Sequence, residues 1–253
     1  MKKMKFVLLS TLLLTSGLFT SCNNTSKVDV MVVGVHHEED YDEIDILIDN
    51  LTNKNKQVVD NLNFYTGNIG KKRVVIAETP LRTSAAAMTT TIGIKQYHPK
   101  YVINEGTSGG HHAELTYNDI ILGKDILDMA SYKGAGDNPD SWELKNPTLH
   151  ANEALLNTAS GIKSEHVGKV VPGIIASSDA WNNDIGFIEK LYKNFGEDCE
   201  EMESYAVTTV CDNYKIPSLA IRVISNNTVT GEGFKTEPGK NCQRFVIDVI
   251  KGM

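Results

Sequence analysis

Glu200-Glu201-Met202-Glu203-Ser204-Tyr205-Ala206-Val207 is the stretch from which the rest of the chain can be read. It lies between two strand-like runs, Val170–Ser177 and Ser218–Ser225. From Ser204 onward the apolar positions Ala206, Val207, Val210 and Cys211 carry a helical period. Two readings fit the acidic residues before it. Carboxylates suit the positive end of a helix, so they can be an ordinary first turn. A carboxylate at a strand end can also accept hydrogen bonds from two neighbouring sugar hydroxyls, with Met202 offering an adaptable apolar face to the ring.

Upstream, Val28–Val35 is a β-branched run that reads as a buried first strand and breaks into His36-His37-Glu38-Glu39-Asp40. Adjacent histidines point in different directions, so they are a weak metal signal. Loops after strand ends line the ligand crevice in open α/β sheets, which brings this loop into the argument. Val58–Thr66 and Arg73–Glu78 read as strands joined by a turn at Gly67-Asn68-Ile69-Gly70. Thr79–Gln96 reads as a helix rich in small residues. Tyr101–Asn104 reads as a strand running into a glycine-rich turn, Glu105-Gly106-Thr107-Ser108-Gly109-Gly110. That turn has neither the phosphate-loop nor the dinucleotide pattern.

Further on, the sequence predicts a strand at Asp119–Leu122, a long surface loop over Tyr132–Pro147 and a helix over Thr148–Ala159. A strand at Lys169–Ser177 then leads to Ser178-Asp179-Ala180-Trp181-Asn182. An aromatic just past a strand end either stacks on a planar ligand or packs on the core. Phe245–Ile250 reads as a closing helix. Strands alternating with helices over this length predict one large α/β domain with no internal repeat.

The N-terminus reads as an address. Lys2, Lys3 and Lys5 precede an apolar run from Phe6 to Phe19 that ends in Thr20-Ser21-Cys22. The order of charge, apolar run, small residues and cysteine matches a bacterial lipoprotein signal, with Cys22 lipidated. Residues 1–21 would then be removed, residues 22–27 would form a tether, and residues 28–253 the domain. This address predicts a lipid-anchored, extracytoplasmic protein of the bacterial envelope. Loss of three lysines leaves 22 basic (25 − 3) against 32 acidic residues. A net charge of −10 excludes a nucleic-acid role that needs a basic face. Cys199, Cys211 and Cys242 form no metal-type spacing and no disulfide framework, and read best as buried thiols.

Four motifs stand in order along the chain: Asn104-Glu105-Gly106-Thr107-Ser108-Gly109-Gly110, Ser178-Asp179-Ala180-Trp181, Glu201-Met202-Glu203 and Arg222-Val223-Ile224-Ser225-Asn226. Together the sequence resembles the purine nucleoside phosphorylase/uridine phosphorylase superfamily, and within it the bacterial 5′-methylthioadenosine/S-adenosylhomocysteine nucleosidases. The resemblance implies a three-layer α/β/α sandwich with a twisted mixed central sheet, and a homodimer. It implies hydrolysis of the N-ribosidic bond of a purine nucleoside without metal or organic cofactor. Glu203 would hold the ribose hydroxyls, with Glu201 beside it and Met202 packed on the sugar. Trp181 would lie against the base, and Thr107, Ser108, Gly109 and Ser225 along ribose and base. Glu39 would activate the attacking water, with Arg222 near it.

Two positions depart from that pattern. Asn226 stands where the nucleosidases have an aspartate. An acid can give purine N7 a proton, whereas an amide can only donate a hydrogen bond. This predicts slower turnover of adenine nucleosides, a preference for 6-oxopurines, or a nucleoside-binding lipoprotein with little turnover. Arg82 stands in a turn that is glycine-rich in relatives, and reads either as a surface arginine or as an anion ligand that would favour phosphorolysis. Asn104 replaces a phosphorylase arginine, and the N-terminal glycine-aspartate-proline motif is missing at Gly34-Val35-His36. Water is therefore the expected nucleophile, with a phosphate-dependent phosphorylase as the alternative.

Overall fold

The computed structural model describes residues 27–37, 41–133 and 142–253. In chain order the elements are β1 (Val30–His37), β2 (Tyr41–Asp42), α1 (Asp45–Asp49), β3 (Thr52–Val59), β4 (Leu62–Ile69), β5 (Lys72–Thr79) and α2 (Thr83–Tyr97). Then come β6 (Tyr101–Gly110), β7 (Ile120–Asp128), β8 (Tyr132–Lys133), β9 (Glu143–Leu144), β10 (Leu149–His150), α3 (Glu153–Ser160) and β11 (Val170–Ser177). The chain closes with α4 (Ile185–Phe195), β12 (Cys199–Glu201), α5 (Ser204–Tyr214), β13 (Ser218–Asn227) and α6 (Glu237–Gly252).

The architecture is the expected α/β/α sandwich around a mixed sheet. Strand β1 lies between β5 and β6 and is parallel to both. Its alternate residues serve two layers, as the period of a strand requires. Val30 and Val32 pack with Phe245, Val249 and other residues of α6, while Met31 and Val33 pack with Ala86 and Ile94 of α2 and Val207 of α5. Both faces are apolar, so the strand reads as a continuous hydrophobic run.

The other half of the sheet curls. Strand β13 pairs parallel with β6 and antiparallel with β7. Strand β7 pairs with β11, β11 with β12, and β12 returns to β6. These five strands close a ring, and the carboxyl ends of β6, β11, β12 and β13 gather at one mouth.

Several expectations need correction. The run Glu105–Gly110 is not a turn but the second half of β6. The strand before β5 is a hairpin: β3 and β4 turn at Asp60 and Asn61, both with positive φ (50° and 64°). Helix α2 begins at Thr83 rather than Thr79. The Thr148–Ala159 helix is shorter, because Leu149–His150 pairs with β7 before Asn152 accepts from Leu155 N and caps α3. Helix α6 begins eight residues earlier than Phe245. Within the predicted loop over 132–147, β8 and β9 form a small hairpin, and buried Trp142 packs on Phe187 and Phe195 of α4; residues 134–141 lie outside the described residues. Cys199, Cys211 and Cys242 are buried free thiols, as expected. Among the described residues no helix is long and apolar enough to cross a membrane; Cys22 and the whole N-terminal address lie outside them.

Candidate active site

A cleft opens at the mouth of the ring. Thr107, Ser108, Gly109, Trp181, Glu201, Met202, Glu203, Ser225 and Asn226, all expected at the site, line it. Arg222 lies beneath it, fully buried, and Glu39 lies outside the described residues. Glu43, Glu200 and Phe234 line the cleft too, although the sequence reading had not placed them there.

One end is built on Arg222. Glu201 turns from β12 under the start of α5, where it accepts from the backbone N–H of Glu203 (2.9 Å) and Ser204 (2.9 Å). This satisfies donors that the helix leaves open. The same carboxylate pairs with Arg222 Nη2. Arg222 Nη2 also donates to Asn104 Oδ1 at 2.6 Å and lies 3.5 Å from Glu203 Oε2. Glu203 Oε1 accepts from the backbone N–H of Arg82 at 2.8 Å. Burial pushes the Glu203 carboxyl up to about 8 against the pull of Arg222, and Glu201 adds to the rise. Burial opposes the Arg222 charge, but Glu201, Glu203, Glu43 and Glu105 together hold its pKa above the ordinary arginine value.

Glu43 completes this end. Its backbone N–H donates to Val35 O (3.1 Å), and buried Gln243 of α6 accepts from Ile46 N (2.7 Å) and Leu47 N, fixing the start of α1. The buried Glu43 carboxylate then crosses β6, accepting from Thr107 N at 2.6 Å. Gly106 permits the crossing. A Cβ there would collide with both Arg222 Nη1 and Glu43 Oε2, and its φ of 156° also favours glycine. Glu43 and Arg222 thus share the space over Gly106. A signal for Glu43 was present. Ile44, Leu47, Ile48 and Leu51 carry a helical apolar period, so Glu43 stands directly before the helix that follows the first strand.

The other end is flat and partly apolar. Trp181 (53% exposed) and Phe234 (42% exposed) meet edge to face, with centroids 6.2 Å apart. The Trp181 loop is tied down at Asp179, which accepts from Thr83 N (2.9 Å) and Thr83 Oγ1 (3.1 Å). A bulge at Ser225 brings Asn226 into register with Gly109. The Ser225 Oγ lies 3.2 Å from both Asn226 Oδ1 and Ser108 O, and its single proton can go to either. The Asn226 Nδ2 leans over Gly109, 3.0 Å from where a Cβ would stand. Arg82 is an exposed residue with φ 88° and ψ 163°, a backbone region that glycine occupies without strain. His36 and His37 pair with β2 at the end of β1, and among the described residues no group of metal-ligating side chains is placed to hold an ion.

The model of the Phosphorylase superfamily matches residues 32–251. The chain belongs to that superfamily. A 5′-methylthioadenosine/S-adenosylhomocysteine nucleosidase of a Geobacillus species is 26% identical to this superfamily member over 235 residues, covering 88% of this chain and 98% of that one. Among solved structures, the Neisseria meningitidis nucleosidase of the same name, in complex with methylthio-immucillin-A, superposes with a TM-score of 0.76 at 22% identity. It covers 89% of this chain and all of its own. Futalosine hydrolase of Helicobacter pylori superposes with a TM-score of 0.74 at 19% identity, over 89% of this chain and 99% of its own. These neighbours share the phosphorylase-superfamily fold described above.

Proposed function

We propose that this superfamily member hydrolyses the N-ribosidic bond of a purine nucleoside, with Glu43 in the role that the sequence assigned to Glu39. The observation that carries the reading is the crossing of Glu43 and Arg222 over Gly106, next to Glu203. Cleavage builds positive charge on the sugar and negative charge on the base. Carboxylates at the ribose end favour the cation-like transition state electrostatically. Glu203 accepts the ribose 2′- and 3′-hydroxyls, and Met202 packs on the ring. Water held by Glu43 and Arg222 attacks C1′ while the C1′–N9 bond breaks and its electron pair goes to the base. Glu43 takes the proton from the water. Asn226 Nδ2 donates to the base as charge develops there, and the base collects its proton from solvent.

The abundance of carboxylates around the Arg222 guanidinium supports water over a phosphate dianion as nucleophile, since like charges brought together in a buried site repel. Relatives named as nucleosidases support the same reaction class. Asn226, which cannot supply a proton, favours one alternative: a nucleoside receptor with little turnover. The Glu43→Gln variant tests the reading. Turnover is expected to fall about 10²–10⁴-fold, with nucleoside affinity retained. Glu39→Gln is expected to leave turnover within about twofold of wild type, because Glu43 takes the water proton in this mechanism. Equal rates for Glu43→Gln and wild type would contradict the mechanism.

The same proposal places the protein at the bacterial envelope through a lipid on Cys22, as a homodimer that acts on external nucleosides. Labelled fatty acid should enter the wild-type chain and not Cys22→Ala, and sedimentation should give twice the protomer mass.

A further inference from the structure

The sheet has two ends, and the cleft occupies one of them. At the other, β1, β5, β6 and β13 begin side by side: Val30 pairs with both Val74 and Tyr101, and Val102 with Ser218. From Val102 to Gly109, β6 rises by about 3.3 Å per residue, so roughly 23 Å separates this base from the cleft floor. The described chain enters at the base. Val28 N–H donates to Tyr97 O (3.2 Å) and Lys100 N–H donates to Val28 O (3.2 Å), which sets the entry between the end of α2 and the start of β6.

Cations collect around that entry. Exposed Lys27 precedes it, and Lys71, Lys72 and Arg73 open the neighbouring β5, where Arg73 O accepts from Asp29 N–H (2.8 Å). Lys95 and Lys100 flank the end of α2, and both are exposed. Lys251 ends α6 beside the β4–β5 turn, its Cγ 3.5 Å from where a Cβ on Gly70 would stand. The acid among them is already engaged: Asp29 accepts from Lys100 Nζ (2.7 Å) and from Arg73 N–H (2.9 Å), and these bonds hold its carboxyl below the ordinary aspartate value. Across residues 27–29, 70–73, 95–101 and 251–253, seven Lys and Arg stand against one side-chain carboxylate. The mature chain carries −10 in all, so this local +6 leaves −16 for the rest. The molecule is polarised, with a basic base and a cleft rich in carboxylates at the far end.

We propose that this base is a membrane-docking face for anionic lipid headgroups, which holds the cleft turned away from the bilayer toward solution; the proposal rests on the lipid-anchor reading above. Cys22 stands six residues before Val28 (28 − 22), and a chain of that length spans at most about 21 Å. A lipid on Cys22 therefore keeps the bilayer surface close to the entry, and headgroup phosphates are the anions this face meets. Screening confines the attraction to roughly 8 Å at physiological salt, so the cations act when the face closes on the surface. Each lysine or arginine brought there strengthens binding by about fivefold. A lipid and a basic face act together as two anchoring signals. The acidic remainder is repelled by the same surface, which selects one orientation.

The test uses the mature chain, residues 22–253, carrying Cys22→Ser so that no lipid contributes; it keeps every described residue. Sedimentation with vesicles measures binding to phosphatidylcholine alone and to phosphatidylcholine mixed with phosphatidylglycerol. Affinity for the anionic vesicles should be higher by about tenfold or more and should fall as salt rises. Lys27→Glu/Lys71→Glu should lose about tenfold or more of that affinity, with an unchanged urea midpoint and unchanged nucleoside binding. Lys145→Glu/Lys190→Glu makes the same change in net charge at exposed positions elsewhere and should bind within about twofold of the parent. Equal binding to the two kinds of vesicle overturns the proposal. So does an equal loss in both double variants, since net charge rather than this face would then be responsible. Failure of Cys22 to take up labelled fatty acid would refute the lipid anchor alone, and the vesicle result would still decide whether the face binds anionic lipid.

Discussion

The two ends of the cleft both carry buried carboxylates, but they differ in how those charges are answered. At the ribose end Glu43, Glu105, Glu201 and Glu203 act on one guanidinium, Arg222. At the base end Glu200 has two donors of Asn182 and the His111 imidazolium behind it, itself held by Glu197. Among the described residues the ribose end gathers more carboxylates than cations, which suits a site where a cation must form. The base end is matched in donors and acceptors, which suits a surface that reads a fixed pattern. Adjacent residues of one short strand build both: alternation along β12 sends Glu200 to one face and Glu201 to the other.

The largest test of this difference removes Arg222. Arg222→Met strands several buried carboxylates and should destabilise the fold by about 3–5 kcal/mol, read as a fall in the urea midpoint. His111→Gln keeps a hydrogen-bonding group between Glu197 and Glu200 and should cost less, about 1–3 kcal/mol. If the two variants lose equal stability, the contrast between the ends is wrong.

The pH dependence separates the ends more finely. Glu203 is raised from 4.5 to about 8, so the folded state binds more protons than the unfolded state between those values. Its contribution therefore falls as pH rises through that window. His111 is raised from 6.5 to about 9; its contribution is complete below 6.5 and is lost as pH rises through 9. Glu197, pushed up by burial against the pull of His111, adds to a fall with rising pH. In urea titrations across pH, Glu203→Gln should flatten the lower slope and His111→Gln the upper one. A variant that flattens both would mean that the two clusters titrate as one.

The smallest effect concerns the turn that holds Glu203. Arg82→Gly relieves a backbone conformation that costs roughly 1–3 kcal/mol outside glycine, offset by the greater freedom of glycine in the unfolded chain. A net gain of about 1 kcal/mol in thermal or urea stability is expected, with Glu203 still bound to the residue 82 N–H.

Strands β1, β6 and β13 were legible because their β-branched runs are buried, β11 because its run is β-branched although half-buried, and α5 because its apolar stripe repeats at helical spacing. Strand β3 was not: Thr52–Gln57 is exposed along its whole length, so no alternation marks it. The glycines of 105–110 imitated a turn. They are instead the bare floor of a strand over which Glu43, Arg222 and Asn226 lie. Helix α4 was missed, and α6 was read only from Phe245, because Pro238 and Gly239 open a helix here where they would ordinarily suggest a loop. In the site, the Glu201-Met202-Glu203 motif showed its own position. Glu43 stands six residues past the end of β1, just before α1, beyond the strand-end loop that the sequence singled out; Glu39 lies outside the described residues. His111 and Glu197 are 86 residues apart, and nothing local in the sequence announces a contact of that range.

The central claim is that water, not phosphate, is the nucleophile at the ribose end. The most direct measurement follows release of free base from inosine and from 5′-methylthioadenosine, each with and without phosphate. The account predicts release at the same rate in both conditions, with no sugar phosphate formed. Release that requires phosphate, with ribose 1-phosphate as the product, would contradict it.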